Sequence, residues 1–110
     1  MPLFITRGNY PHQTMAGMMA KPEDRTEAVS KLFAAVGGKL HALYYTFGEH
    51  DFVVIAEAPS EKDVLAALIA AAGSGGVANL NTTIAVRPSD MKDAFAKAGA
   101  IAAQYRAPGS

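Results

Sequence analysis

Residues 39–59 read KLHALYYTFGEHDFVVIAEAP and contain two strand-like runs joined by a short turn. Residues 39–47 and residues 51–58 are rich in β-branched and aromatic side chains, which favours β-strands. Gly48 opens the three-residue segment between them, and a short connection with glycine is typical of a hairpin. Pro59 ends the second run, because proline has no N–H to donate to a neighbouring strand. The stretch therefore predicts an antiparallel pair of strands.

A strand and a helical region precede this pair. Residues 3–10 have the same β-branched and aromatic character, and Pro11 closes them, so they are predicted as the first strand. Apolar residues then recur at helical spacing over residues 12–36. Pro22 interrupts this pattern, which predicts two helical pieces or a kink near residues 20–21.

A second helix, a last strand and a third helix follow the pair. Ser60 begins an alanine-rich helix in a weak capping-box pattern. A glycine-rich linker at residues 73–76 leads into a strand predicted over residues 77–86. Pro88 opens the third helix, and residues 105–110 are predicted to form a flexible tail.

The order β-α-β-β-α-β with a terminal helix predicts an α+β, ferredoxin-like fold, as a single domain over residues 1–104. Its four-stranded antiparallel sheet would carry both crossover helices on one face. Both faces of the presumed central strands, residues 3–10 and 51–58, are nevertheless largely apolar, whereas a solvated face should be polar. We therefore expect a second copy of the chain to cover the other face by sheet-on-sheet packing. Which of the two faces meets the helices stays open at this point.

Composition excludes several classes of function. The 110 residues contain no cysteine, so disulfides and thiolate chemistry are not available. Ten basic and ten acidic residues are mixed along the chain, which argues against binding to nucleic acid or to an anionic membrane. The three histidines lack ligand spacing, so we expect neither a metal nor a cofactor. The start is unlike a signal peptide, and no apolar run approaches the roughly 20 residues of a membrane span, so a cytoplasmic, bacterial protein is expected.

Residues 44–59 resemble the core signature of the GYD-domain family. Further matches are the strand at residues 5–10, Gly17, Arg25 and the Gly37-Gly38 pair, and the resemblance covers residues 2–98. It implies a ferredoxin-like fold and a dimeric α/β barrel. It implies no particular activity, because the family has no established one.

One position departs from the pattern of that family. The family's namesake glycine, tyrosine and aspartate correspond to Gly48, His50 and Asp51. A histidine therefore stands where tyrosine is usual, and a role for that tyrosine's hydroxyl does not carry over to this chain.

Six residues are candidates for lining a ligand site. Phenol and imidazole groups around an apolar hole can orient a small molecule, and an arginine can anchor an anion or carboxylate. A carboxyl group among apolar neighbours would have a raised pKa and could move a proton. The candidates are Arg7, Tyr10, His12, Tyr45, His50 and Glu57.

Each candidate also has a purely structural interpretation. The aromatic residues pack the sheet or the dimer seam in that interpretation, which we favour, and Glu57 pairs with Arg7 on a neighbouring strand. Asp51 could orient His50 as a base, but adjacent residues of a strand point to opposite faces. A cap by Asp51 on its own hairpin turn is therefore the favoured alternative.

Two functions remain open from the sequence. The first is a homo-oligomeric binding or assembly module that holds a small apolar molecule between sheet and helices or in the dimer barrel. The alternative is a cofactor-free enzyme of the dimeric α/β-barrel group, of monooxygenase or isomerase type, which is an analogy of fold. An enzyme would have a polar cluster in a real cavity and at least one titratable group shifted by burial.

Overall fold

The computed structural model describes residues 1–110 and contains four strands and four α-helices. The strands are β1 (Leu3–Asn9), β2 (Lys39–Tyr45), β3 (Phe52–Glu57) and β4 (Ala78–Ala85). The helices are α1 (His12–Ala20), α2 (Thr26–Ala34), α3 (Glu61–Gly73) and α4 (Pro88–Ile101), followed by a 3₁₀ turn at Ala102–Gln104. The predicted break at Pro22 is confirmed, because α1 and α2 are separate helices on either side of it. None of the helices combines the length and apolar character needed to cross a membrane.

The strands form one antiparallel sheet in the order β2-β3-β1-β4, which confirms the α+β, ferredoxin-like prediction. The central strands are β1 and β3, as expected, and Ile5 lies opposite Ile55 in their register. Directly opposed residues of an antiparallel pair share a face of the sheet. The register therefore sorts the side chains of all four strands into two faces.

One face of the sheet packs against the helices and forms the core. Phe33 of α2 and Ala67 of α3 are 3 % and 1 % exposed and pack against this face. Phe4 of β1 is buried with Val64 of α3 in a second cluster. The other buried sheet residues on this side are Thr6, Gly8, Phe52, Val54 and Ala56. The sequence left open which face of the sheet meets the helices, and in the structure it is the face that carries these residues.

The opposite face of the sheet, which we call the open face, is also apolar at its centre. Leu3, Ile5, Val53 and Ile55 lie on it, and each is half-buried, whereas their neighbours on the helix face are buried. A single chain therefore leaves part of this apolar surface accessible to water. Its coverage by a second copy stays a prediction.

Helix α4 carries no buried side chain. Phe95 and Ile101 are 70 % and 64 % exposed, and the chain measures 59 Å along its longest axis but only 33 and 22 Å along the others. An isolated helix of fewer than about 12–15 residues is marginal in water, and most helices in proteins are stabilised by packing. The chain therefore has two exposed apolar surfaces, the open face of the sheet and helix α4.

The connection from α2 to β2 depends on two glycines. Gly37 has a φ of 77°, in the left-handed region where glycine is favoured at helix ends. The N–H of Gly38 donates to the carbonyl of Phe33 over 2.8 Å. A Cβ atom at Gly38 would collide with the backbone carbonyl oxygen of Glu57, which cannot move without disturbing β3. Any side chain at this position would therefore destabilise the fold.

We expect Gly38→Ala to lower the free energy of unfolding by about 1–3 kcal/mol, the usual effect of forcing an extra methyl group into packed structure. Gly48→Ala is the matched control, because a Cβ atom there meets nothing within 4 Å. Urea denaturation followed by circular dichroism measures both. Equal stability of the two variants would contradict the close approach of Gly38 to β3.

Candidate functional site

A cavity of about 620 Å³ lies between the helix face of the sheet and the helices α1, α2 and α3. Its size falls within the range of about 300–1,000 Å³ that is usual for small-molecule sites. Thirteen of its twenty-one lining residues are hydrophobic. Its apolar walls include Met18, Val29, Leu32, Leu43, Val77 and Leu80. The cavity arises because α2 and α3 both pack on the sheet but do not close over the space between them.

Apart from Ser74 at the end of α3, the polar lining residues fall into two groups. Thr6, Tyr10 and Thr14 lie among the apolar walls, and the hydroxyl of Thr6 is engaged with that of Thr82 over 2.9 Å. Every charged lining residue belongs to the linker between α1 and α2 and is exposed, so the linker marks the solvent side of the cavity. These charged residues are Lys21, Glu23 and Arg25.

Tyr10 is held in place from both its backbone and its ring. Its N–H donates to Oδ2 of Asp51 over 2.8 Å, and the side-chain amide of Asn9 donates to the same oxygen over 3.2 Å. Its ring packs against Phe52 with 5.0 Å between centroids, and against Tyr45 edge to face at 5.8 Å. Asp51 thus ties the end of β1 to the start of β3, and this contact aims the phenol of Tyr10 into the cavity.

Burial raises the pKa of Tyr10, and the adjacent phenol of Tyr45 raises it further. The charge of Arg25 acts in the opposite direction but does not reverse the shift. The hydroxyl of Tyr10 is therefore neutral at any physiological pH. It can donate a hydrogen bond to a bound molecule, but it cannot serve as a base.

Asp51 has a different role from both that the sequence suggested. Its carboxylate accepts hydrogen bonds from the end of β1, so it neither orients His50 nor caps its own turn. The turn is closed instead by Thr46, whose hydroxyl donates to the carbonyl of His50 over 2.7 Å. No group of three or more His, Asp or Glu side chains comes together in a way that could hold a metal ion.

Arg7 and Glu57 do not form the predicted pair. The register places Leu3 opposite Glu57 and Val53 opposite Arg7, so the two charged residues are too far apart along the sheet. Glu57 instead lies 3.3 Å from Nε2 of His41 and 3.3 Å from the guanidinium of Arg87. The interpretation failed because His41 reaches Glu57 at an irregularity in the β2–β3 register, which the sequence does not reveal.

The pKa of Glu57 is lowered, not raised as the sequence suggested. The hydrogen bond from His41 is the main cause, and the charges of His41, the chain's amino terminus and Arg87 add to it. Desolvation acts in the opposite direction and is outweighed. Glu57 is therefore a stably ionised member of an ion-pair cluster and not a carboxyl group poised to transfer a proton.

The structure brings together two of the six candidate residues. Tyr10 lines the main cavity, Tyr45 lines a neighbouring cavity of about 170 Å³, and Arg25 lines both cavities. His12 begins α1 with an exposed side chain, and His50 lies in the β2–β3 turn. Arg7 and Glu57 belong to the open face on the other side of the sheet.

Sequence reasoning missed the charged residues of the linker. The sequence singles out Arg25 only as a match to the GYD-domain family, and its place directly before α2, beside Glu23 and Asp24, has a simple explanation as a charge arrangement at a helix end. The break at Pro22 could have indicated these residues. It predicts a linker between two helices that pack on the same sheet, and such a linker lies at the edge of the space between the helices and the sheet. The position of that edge relative to Tyr10 depends on how the helices pack.

The fold and the cavity define a small ferredoxin-like α+β domain. The family model of the GYD domain matches residues 4–95, and the chain belongs to the GYD-domain family.

Two solved structures are similar to this chain. A protein of Thermus thermophilus is 16 % identical, with a TM-score of 0.44 over 79 % of this chain and 95 % of the other. A hypothetical protein from Pyrococcus horikoshii is 19 % identical, with a TM-score of 0.46 over 79 % of this chain and 92 % of the other. No curated protein matches the chain at a significant level.

The ion-pair cluster of Glu57 predicts a pH dependence of stability. Folding lowers the pKa of this carboxyl group below its ordinary value of 4.5. Its ionised form therefore stabilises the fold above that pH, and the contribution is lost as the pH falls through the folded-state pKa. We expect Glu57→Gln to be less stable than wild type at about pH 6, and the difference to shrink towards about pH 3.

Thermal unfolding of the two proteins at both pH values measures this difference. Glu49→Gln is the matched control, since Glu49 is an exposed residue of the β2–β3 turn whose side chain makes no hydrogen bond or ion pair. It should track wild type at both pH values. A difference for Glu57→Gln that stays constant or grows on acidification would contradict the assigned role.

Proposed function

We propose that this GYD-domain protein is a homo-oligomeric module that binds a small, mostly apolar molecule in the cavity between its sheet and helices. The observation that supports the proposal is the cavity itself, which offers about 620 Å³ with a hydrophobic majority among its lining residues. Sites for small molecules have this composition, with a few polar groups that orient the ligand. We extend the proposal to a cytoplasmic location. We also propose that the protein functions without nucleic acid or membranes, because the charges of the chain balance.

The titratable residues that line the cavity favour ligand binding over catalysis. Tyr10, Lys21, Glu23 and Arg25 are the only ones among the lining residues. Glu23 is the single carboxylate, and it is exposed and paired with Arg25 at 2.9 Å. A general base within the apolar part of the cavity is therefore missing, and general acid–base catalysis needs such a group close to the proton that it removes.

A cofactor-free enzyme remains the second candidate, because one observation favours it. Tyr10 has a pKa shifted by burial inside a cavity, as expected of a group at a catalytic site. As a neutral phenol it would donate a hydrogen bond to a carbonyl or an oxyanion of the substrate. The base would have to come from the substrate or from a second chain.

Filling the cavity should weaken the binding of a neutral apolar probe. Gly17 lines the cavity from α1, and a Cβ atom there meets nothing within 4 Å. We expect Gly17→Trp to fold normally and to bind Nile red about tenfold more weakly than wild type, because the indole takes volume that the ligand needs. Fluorescence titration measures the affinity.

Gly99→Trp is the matched control for this experiment. Gly99 also lies in a helix, and a Cβ atom there also meets nothing within 4 Å, but it belongs to α4 and not to the cavity. Its affinity for the dye should equal that of wild type. Equal loss in both variants, or no dye binding by wild type, would contradict the proposed cavity site.

The oligomeric part of the proposal is supported by two exposed apolar surfaces. The open face presents Ile5 and Ile55 at its centre, and α4 presents Phe95 and Ile101. Monomeric proteins rarely leave large contiguous apolar patches in water, and such patches mark interfaces. We propose that a second copy covers the open face and that its sheet packs on this one about a two-fold axis.

A charge at the centre of the open face should break the assembly. Light scattering is expected to give wild type the mass of two chains or more and Ile5→Glu the mass of one, because a buried unpaired carboxylate is strongly unfavourable. Ile69→Glu is the control, since Ile69 is 68 % exposed on α3, away from the sheet. Circular dichroism verifies that both variants fold. A monomeric wild type would contradict this part of the proposal.

A further inference from the structure

We propose that the molecule bound in the cavity carries a negatively charged head group, such as a carboxylate, and that Arg25 and Lys21 hold this group at the linker side. The inference rests on the proposed function and specifies the chemical class of its ligand: an amphipathic anion with an apolar body. Nothing in the fold requires cations at this place, because the linker makes no ion pair with the sheet or with α3.

The polar end of the cavity offers donors and few acceptors. Arg25 and Lys21 can only donate hydrogen bonds. Tyr10 adds a neutral phenol, and Arg25 lies near enough to influence its pKa. The hydroxyl of Thr6 is already engaged with Thr82. A ligand that complements this end must bring acceptors, and a carboxylate brings two oxygens that accept from several donors at once.

Within the linker, Lys21 and Arg25 are balanced by Glu23 and Asp24, but only Glu23 of these two carboxylates lines the main cavity, and this distribution also favours an anion. Glu23 neutralises part of Arg25 through a contact of 2.9 Å, and Asp24 is engaged with the N–H of Thr26 at the start of α2. Lys21 lines the cavity and is in no ion pair. The main cavity thus has two cationic side chains against one carboxylate, and the adjacent N-terminus of α2 adds the positive end of a helix dipole.

The distribution of polar and apolar surface defines the shape of the ligand. The charged residues all lie on the α1–α2 linker, whereas the walls away from it are built from residues such as Leu32, Phe33, Leu68 and Leu80. A molecule with its charge at one end fits this arrangement, because its apolar body is removed from water while its head group stays at the solvent side. A positively charged head group would meet Lys21 and Arg25 and would be repelled.

Three probes with one apolar chain and different head groups test the inference. Isothermal titration calorimetry compares decanoate, decanol and decylammonium on the wild-type protein. We expect decanoate to bind about tenfold more tightly than decanol, since a charge-assisted hydrogen bond is stronger than a neutral one, and decylammonium to bind most weakly. Equal affinity for decanoate and decanol, or tighter binding of decylammonium, would overturn the assignment of the head group.

Three variants and a control locate the head group. We expect Arg25→Gln and Lys21→Gln each to weaken decanoate several-fold while leaving decanol unchanged, which also verifies that the cavity is intact. We expect Glu23→Gln to tighten decanoate alone, because it releases the guanidinium of Arg25. Arg106→Gln is the matched control in the C-terminal segment, outside the cavity. Unchanged decanoate affinity in both cation variants would overturn the proposed role of the linker.

The outcome also separates this inference from the proposed function. If decanol and decanoate bind equally and Gly17→Trp blocks both, the cavity accepts apolar molecules and only the head group is wrong. If none of the three probes binds wild type, the proposed function fails and this inference fails with it.

Discussion

The packing of α2 and α3 on one face of the central strands β1 and β3 is the constraint on which the rest of the structure depends. Phe33 and Ala67 are buried against Phe52, Val54 and Ala56, and this cluster is the largest in the chain. Small residues make the approach possible, since Ala56 and Ala67 let helix and sheet come close. The chain also passes close to the sheet at Gly38, between α2 and β2. A methyl group at this position would collide with the backbone of Glu57.

The same packing leaves space elsewhere in the layer. Helices α2 and α3 pack on the sheet without closing over the space between them, and a cavity of about 620 Å³ remains between α1, α2, α3 and the sheet. Asp51 accepts a hydrogen bond from the N–H of Tyr10, and this contact places the phenol of Tyr10 at the edge of the cavity. A hydrogen bond at the end of a strand thus also positions Tyr10, the half-buried titratable group of the site.

The sheet separates two chemical environments. On the helix side, Tyr10 keeps its proton because burial disfavours the phenolate. On the open side, Glu57 keeps its charge because His41 and Arg87 lie within 3.3 Å of it. The pKa of Tyr10 is raised and that of Glu57 is lowered. Tyr10 therefore stays a neutral hydrogen-bond donor in the cavity, and Glu57 stays an anion on the open face.

The sequence by itself determined the elements and their order. Proline at positions 11, 22 and 59 and the glycines around residues 37–38 and 48 mark boundaries through local backbone constraints, so β1, β2, β3 and the split between α1 and α2 could be predicted. Tyr10 could be chosen as a candidate from its side-chain chemistry, because a phenol can orient a ligand in an apolar pocket. Only the tertiary structure decided that Glu57 meets His41 and Arg87, that Asp51 bonds to Tyr10, and that Arg25 reaches the cavity. These contacts join residues far apart in the chain, and they depend on strand register and helix packing, which local propensities do not encode.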